Sequence, residues 1–148
     1  MINFKIELAA PVHEIRHRTL YGDTDAGGVV YYANYQRYFE KGRTEFMREH
    51  AISYRELEDQ GYILPVVESY LRYKAPACYD DLLLIRTSIQ ELSRISWRFN
   101  HHILRARDEK LLVKGFTVHV SVNRQGRITR MNRDILSQLK KTSDNLQP

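Results

Sequence analysis

The chain has 148 residues, 43% hydrophobic and 28% charged, and 23 Lys and Arg against 18 Asp and Glu leave a formal charge of +5. That suits one domain with its own core over residues 1–148, and no apolar run approaches the roughly 18 residues that cross a bilayer. The single cysteine, Cys78, excludes an internal disulfide and a cysteine-rich metal site, while the basic balance suits a polyanionic partner without naming one.

Met1 to Pro11 lacks the basic start, apolar stretch and small-residue cleavage site of an export signal, so a cytoplasmic location is expected. His13 to Tyr21 alternates Ile15, His17 and Thr19 against Arg16, Arg18 and Leu20, the period of a strand. Turn formers from Gly22 to Gly28 end it. From Tyr31 the spacing becomes helical: Tyr31, Tyr35, Tyr38, Phe39, Gly42, Phe46 and Met47 share one face as far as about His50. Gly42 on that face predicts close approach to another element, since glycine within a helix otherwise costs about 1 kcal/mol. Ser53 with Glu56 matches a capping box, and a short second helix runs through Leu57 to Gln60 and ends at Gly61.

Sheet follows. Tyr62 to Tyr73 reads as a strand with Pro65 near its start, where a missing N–H is tolerated. Ala75-Pro76 and Tyr79-Asp80-Asp81 turn into a strand from Leu82 to Glu91. Ile95, Trp97, Phe99, His101 and Ile103 alternate with Ser96, Arg98, Asn100 and His102 in the next. Arg107 to Lys110 is a hairpin connection, and Leu112, Phe116, Val118, Val120 and Val122 mark one face of the last long strand. A C-terminal helix covers about Asn132 to Lys140. The basic residues between Arg124 and Lys141 are interrupted by Asp134 and read as a solvated face, not a nucleic-acid groove. One strand, a long helix and then several antiparallel strands make an α+β domain with the helix on one side of the sheet. The opposite sheet face needs a cover, which favours an oligomer.

The chemistry concentrates between Tyr21 and Tyr35. Asp23, Asp25, Gly27 and Gly28 stand just ahead of a helix start, where free N–H donors and a partial positive charge can hold an anion or a developing oxyanion. A carboxylate about 3 Å from an activated carbonyl can attack it or take a proton from water. The plainer reading is that Asp23 or Asp25 simply caps the helix. Asp23, Asp25 and Gly28 also match three positions of a calcium loop, but Asn34 stands where the bidentate glutamate belongs. No Gly-Lys-Ser or Gly-Lys-Thr phosphate loop occurs, nor a Gly-x-Ser-x-Gly elbow. His101, His102 and His119 have no partners at zinc-ligand spacing.

Asp23-Thr24-Asp25-Ala26-Gly27-Gly28-Val29-Val30-Tyr31, then Asn34-Tyr35, Tyr38-Phe39-Glu40, Arg43-Thr44-Glu45, Tyr73 to Ala77 and Tyr79-Asp80-Asp81, resembles the 4-hydroxybenzoyl-CoA thioesterase family. Within it the chain is most similar to the Tol–Pal-associated branch of small acyl-CoA thioesterases, from about Ile15 to Val122. The resemblance implies a hotdog fold, an antiparallel sheet of five to six strands wrapped around one long helix. It implies active sites at a dimer interface, and assembly as a homodimer or homotetramer. It implies hydrolysis of short-chain aliphatic or aromatic acyl-CoA, with Asp25 as nucleophile or general base and the Tyr32 amide as oxyanion donor. Tyr21 matches a position that lines the site, and Arg94 one where basic residues hold the CoA nucleotide; Gly28 leaves room for substrate to approach the backbone, Tyr31 is a candidate to face the acyl pocket from the aromatic stripe, and Arg72 and Lys74 are further candidates from charge. No cofactor and no metal are implied, since coenzyme A enters as part of the substrate. One position departs: the branch has histidine where this chain has Tyr32, so a histidine side-chain role in substrate choice does not carry over. The competing expectation is a non-catalytic acyl-CoA-binding or regulatory protein of the same fold.

Overall fold

The computed structural model describes residues 4–144, with side chains through residue 139. In chain order the elements are β1 (His13–Arg18), a 3₁₀ turn (Tyr21–Asp23), α1 (Asn34–His50), α2 (Tyr54–Asp59), β2 (Val66–Tyr73), β3 (Leu82–Leu92), β4 (Ser96–Arg105), β5 (Lys110–Val120) and α3 (Arg133–Asp144). The strands form one five-stranded sheet in the order β1-β3-β4-β5-β2, every neighbouring pair antiparallel. This is the expected α+β sheet around one long helix. Among the described residues no helix is long and apolar enough to span a bilayer.

Helix α1 lies on one face of the sheet and buries the stripe that its spacing announces, Tyr35, Tyr38, Phe39, Gly42, Phe46 and Met47. Gly42 permits the contact: a Cβ there would stand 2.5 Å from Thr87 Oγ1 and 3.0 Å from Ile85 on β3. Phe39 stacks on His101 of β4 at 4.3 Å between ring centroids. Gly115 of β5 makes room for the same phenylalanine, because a Cβ at that position would run into the Tyr70 carbonyl oxygen and lie 2.7 Å from the Phe39 ring. Backbone on the adjacent strand cannot move aside without breaking the ladder. Gly115→Ala is therefore expected to destabilise the fold by roughly 1–3 kcal/mol through overpacking. Urea unfolding checks this as a lowered midpoint at unchanged slope.

Several expected boundaries shift, each for a reason outside its own segment. The helix starts at Asn34 instead of Tyr31, because residues 29–31 are drawn out as extended backbone. Val30 N–H donates to the Ala77 carbonyl at 2.8 Å and Tyr31 N–H to that of Asp23 at 2.9 Å. Strand β1 ends at Arg18, and the strand expected from Tyr62 begins at Val66, after Pro65. The apolar even positions of β5 do share a face, but Phe116, Val118 and Val120 point away from the helix. Val113, Gly115, Thr117 and His119 face it instead, pairing with the helix-facing Ile103, His101, Phe99 and Trp97 of β4. A register shift inserts Leu112, which is buried in the core as well.

Arg43, which is not part of the apolar stripe of α1, is only 8% exposed. It donates to Thr117 Oγ1 at 3.4 Å; that hydroxyl lies 2.9 Å from His119 Nε2, and His119 Nδ1 lies 2.9 Å from the Leu64 carbonyl. The outer sheet face is partly covered from within the chain. Asn100 and His102 donate to the carbonyls of Glu7 and Ile6, both at 2.8 Å, and Phe4 packs edge-on to Phe116. The N-terminal segment thus supplies part of the cover that this face needs.

Candidate active site

The loop after β1 folds back as a tight hairpin. Thr24 bridges Val30, Val29 bridges Cys78, and Asp25 N–H donates to the Val29 carbonyl at 2.9 Å. Gly28 completes the turn at φ +80, a conformation that side chains with a Cβ resist. Its two aspartates have separate duties. Asp23 Oδ2 accepts from the Leu20 amide at 2.9 Å and pairs with His17 Nε2 at 3.1 Å, while its carbonyl accepts from Asn34 Nδ2 at 2.8 Å. Burial alone would raise the Asp23 carboxyl, but the hydrogen bonds from Leu20 and His17 outweigh it and hold the group below its ordinary range. Asp25 is exposed, and Oδ1 accepts from the Gly27 amide of its own loop at 2.8 Å. Neither aspartate caps α1: the N-cap is Ala33, and no side chain accepts there.

Beside this hairpin lies an apolar cavity of about 320 Å³, walled by Val29, Val30, Tyr32, Tyr35, Tyr73, Ala75 and Pro76, with Lys74. Tyr35 is buried, which raises its phenol, and its oxygen accepts from the Ala77 amide at 3.1 Å. The Tyr73 hydroxyl donates to the Tyr32 carbonyl at 3.2 Å. Among the described residues the Tyr32 amide donates to no protein acceptor. The cavity thus joins an apolar wall of tyrosine rings to an unclaimed N–H just before a helix.

The sequence-derived residues divide accordingly. Asp25, Gly28, Tyr31 and Tyr32 come together on the hairpin. Tyr31 is exposed and packs on Tyr32 at 4.8 Å; interaction with Tyr32, then the nearby Asp25 charge, raises its phenol. Tyr21 is 81% exposed, edge-on to Tyr79 at 5.8 Å. Asp25 does not line the cavity within one chain. Arg94 stands apart, past the Leu92 end of β3, with Nε donating to the Met131 carbonyl at 3.0 Å. The hairpin sits at the Leu82 end, and an 11-residue strand at about 3.3 Å per residue separates the two by roughly 30 Å. Tyr73 and Val29 are wall residues that the spacing did not single out; both lie inside stretches that carried the family likeness.

Comparison with known proteins agrees with this architecture. Residues 19–139 match the family model of the thioesterase-like superfamily. The chain is 39% identical over 94 residues to the acyl-CoA thioester hydrolase YbgC of Escherichia coli O157:H7, covering 64% of this chain and 70% of that protein. A solved gentisyl-coenzyme A thioesterase is 29% identical, covers 84% of this chain and 99% of its own, and superposes with a TM-score of 0.76. A 4-hydroxybenzoyl-CoA thioesterase mutant, solved with 4-hydroxybenzoyl-CoA, shares the fold at 24% identity, with 88% of this chain and 99% of its own covered and a TM-score of 0.80. This chain belongs to the thioesterase-like superfamily, as a thioester hydrolase of the hotdog fold.

Proposed function

We propose that this single-domain enzyme hydrolyses short-chain aliphatic or aromatic acyl-CoA to the free acid and CoA, without a metal or cofactor. In this reading the acyl group enters the tyrosine-walled cavity and its carbonyl oxygen accepts from the Tyr32 amide. Asp25 attacks the carbonyl carbon or takes the proton of a water that does so. Where water attacks, its oxygen forms the C–O bond as the C–S bond breaks. Where Asp25 attacks, the mixed anhydride formed as the C–S bond breaks is then hydrolysed by water to the free acid and the restored carboxylate. In both cases the thiolate leaves and takes up a proton. Gly28 leaves the approach open, and Tyr21 and Tyr31 flank it.

The observation that carries the reading is the division of labour between the two aspartates. Asp23 is committed to His17, Leu20 and the helix start, whereas Asp25 Oδ2 has no protein partner among the described residues. A carboxylate with one oxygen unclaimed by the protein is available for chemistry. Because Asp25 lies outside the single-chain cavity, the reading includes a homodimer or homotetramer that closes the site. The exposed apolar edge of β2, with Val66 and Val67 about half exposed, supports that assembly. Arg94 would serve such a site only from a neighbouring subunit. A cytoplasmic location belongs to the same proposal.

The test is a panel of aliphatic and aryl acyl-CoA thioesters followed by thiol release. Turnover of short-chain or aromatic members is the expected result. Tight binding with no thiol released from any member would instead favour the non-catalytic acyl-CoA-binding reading.

A further inference from the structure

The direction of the Tyr32 N–H is set by the peptide unit to which it belongs. Asn34 N–H donates to the Tyr31 carbonyl at 2.9 Å, closing a turn over residues 31–34. The Tyr31–Tyr32 peptide is planar and trans, so its C=O and N–H point in opposite directions. A carbonyl held towards Asn34 therefore aims the Tyr32 N–H away from the helix start, where no protein group accepts it among the described residues. Building on the proposed function, in which this amide is the oxyanion donor, we propose that Asn34 is the positioning residue that keeps it aimed at the reacting carbonyl.

Asn34 Nδ2 donates to the Asp23 carbonyl at 2.8 Å, and Tyr31 N–H donates to the same oxygen at 2.9 Å. Both ends of the turn thus hang on one oxygen, and both of its lone pairs are taken. That oxygen is itself held firmly. Asp23 N–H donates to the Leu20 carbonyl at 2.9 Å, while the Asp23 carboxylate is held by the Leu20 amide and His17. Without the Asn34 side chain, the Tyr31 N–H alone would tie the turn to Asp23, and the turn could pivot about that bond.

The identity of the residue supplies the second argument. Asparagine is a poor helix former, because its amide seeks backbone groups outside the helix. At the head of α1 its ordinary use would be as a cap, yet the N-cap is Ala33 and no side chain accepts there. The Asn34 amide reaches back 11 residues instead, to the segment that carries Asp25. That segment already pairs with the far arm of the hairpin, through Thr24 to Val30 and Asp25 N–H to the Val29 carbonyl. Asn34 extends the same pairing beyond Tyr31, so the Tyr32 amide and the Asp25 carboxylate share one frame.

The test follows Asn34→Ala both in kinetics and in the infrared band of a bound carbonyl. The probe is R–CO–CH2–S–CoA, the unreactive ketone analogue of the acyl-CoA turned over fastest, labelled with ¹³C at the carbonyl. A bond from the Tyr32 amide should move this band to lower frequency in wild type. In Asn34→Ala kcat should fall about tenfold to thirtyfold, KM should stay within about threefold, and the band shift should shrink. Asn34→Ser, whose hydroxyl is too short to reach Asp23, should behave alike and serves if the alanine variant does not fold. A merely structural residue would lower the urea midpoint without changing the band. The assignment is overturned if a folded variant keeps the wild-type kcat, or if its band shift equals that of wild type. A wild-type band that does not shift defeats the Tyr32 donor reading itself, and the role of Asn34 with it. If no acyl-CoA is hydrolysed, phenacyl-CoA becomes the probe and the band alone decides the role of Asn34.

Discussion

Asp25→Asn is expected to lower kcat/KM for acyl-CoA by about a thousandfold, equivalent to roughly 4 kcal/mol of transition-state stabilisation. The amide is isosteric but neither attacks a carbonyl effectively nor accepts a proton from water. Stability should change by less than about 0.5 kcal/mol, because Asp25 is exposed and the new amide oxygen can still accept from the Gly27 N–H. Asp23→Asn should behave in the opposite way. It weakens a half-buried carboxylate bonded to His17 and Leu20, at a cost of about 1–3 kcal/mol in stability, and it loosens the loop. Paired rate and urea-denaturation measurements on the two variants separate chemistry from scaffolding. An Asp25→Asn enzyme within threefold of wild type would end the assignment.

Acid is expected to destabilise the fold well before its carboxylates protonate. Burial, aided by the Arg43 charge, pushes the His119 imidazole down from 6.5 to about 4, although the bond to Leu64 works the other way. Burial likewise holds His101 well below its ordinary value, with the Arg43 charge adding to the effect. The unfolded chain binds a proton at each below pH 6.5, while the native state resists. Stability is therefore full above that pH and falls as pH drops towards 4. His119 alone contributes about 3 kcal/mol of that loss. Asp23 adds to the decline at still lower pH, since its depressed carboxyl stabilises the fold only while ionised. Urea midpoints between pH 7.5 and 4 provide the measurement, and His119→Gln should flatten the curve. Equal stability at pH 7 and pH 5 would contradict this account.

The architecture was largely legible because its signals are local. Period-2 runs announced the strands, the Tyr35–Met47 stripe announced the helix, and Ser53 does accept from the Glu56 amide as the capping box requires. The apolar face of β5 was recognised as a face but gave no sign of its direction. Phe116 packs against Phe4 and Tyr70, and Arg98 lies over its ring at 4.0 Å, on the side away from the helix. Small and polar residues fill the helix side because Phe39 and Arg43 already occupy that space.

From residue order alone came the α+β class, the aspartate–glycine hairpin ahead of a helix, and through its wording the family. Order could not tell Asp23 from Asp25 by physics, could not start the helix three residues late, and could not see that Arg94 lies far from the hairpin. Those outcomes depend on bonds between segments remote in sequence, such as Val30 to Ala77 and Arg94 to Met131. Periodicity records which way a residue leans within its own element; folding chooses which elements meet, and with them the surroundings that give each charge its task.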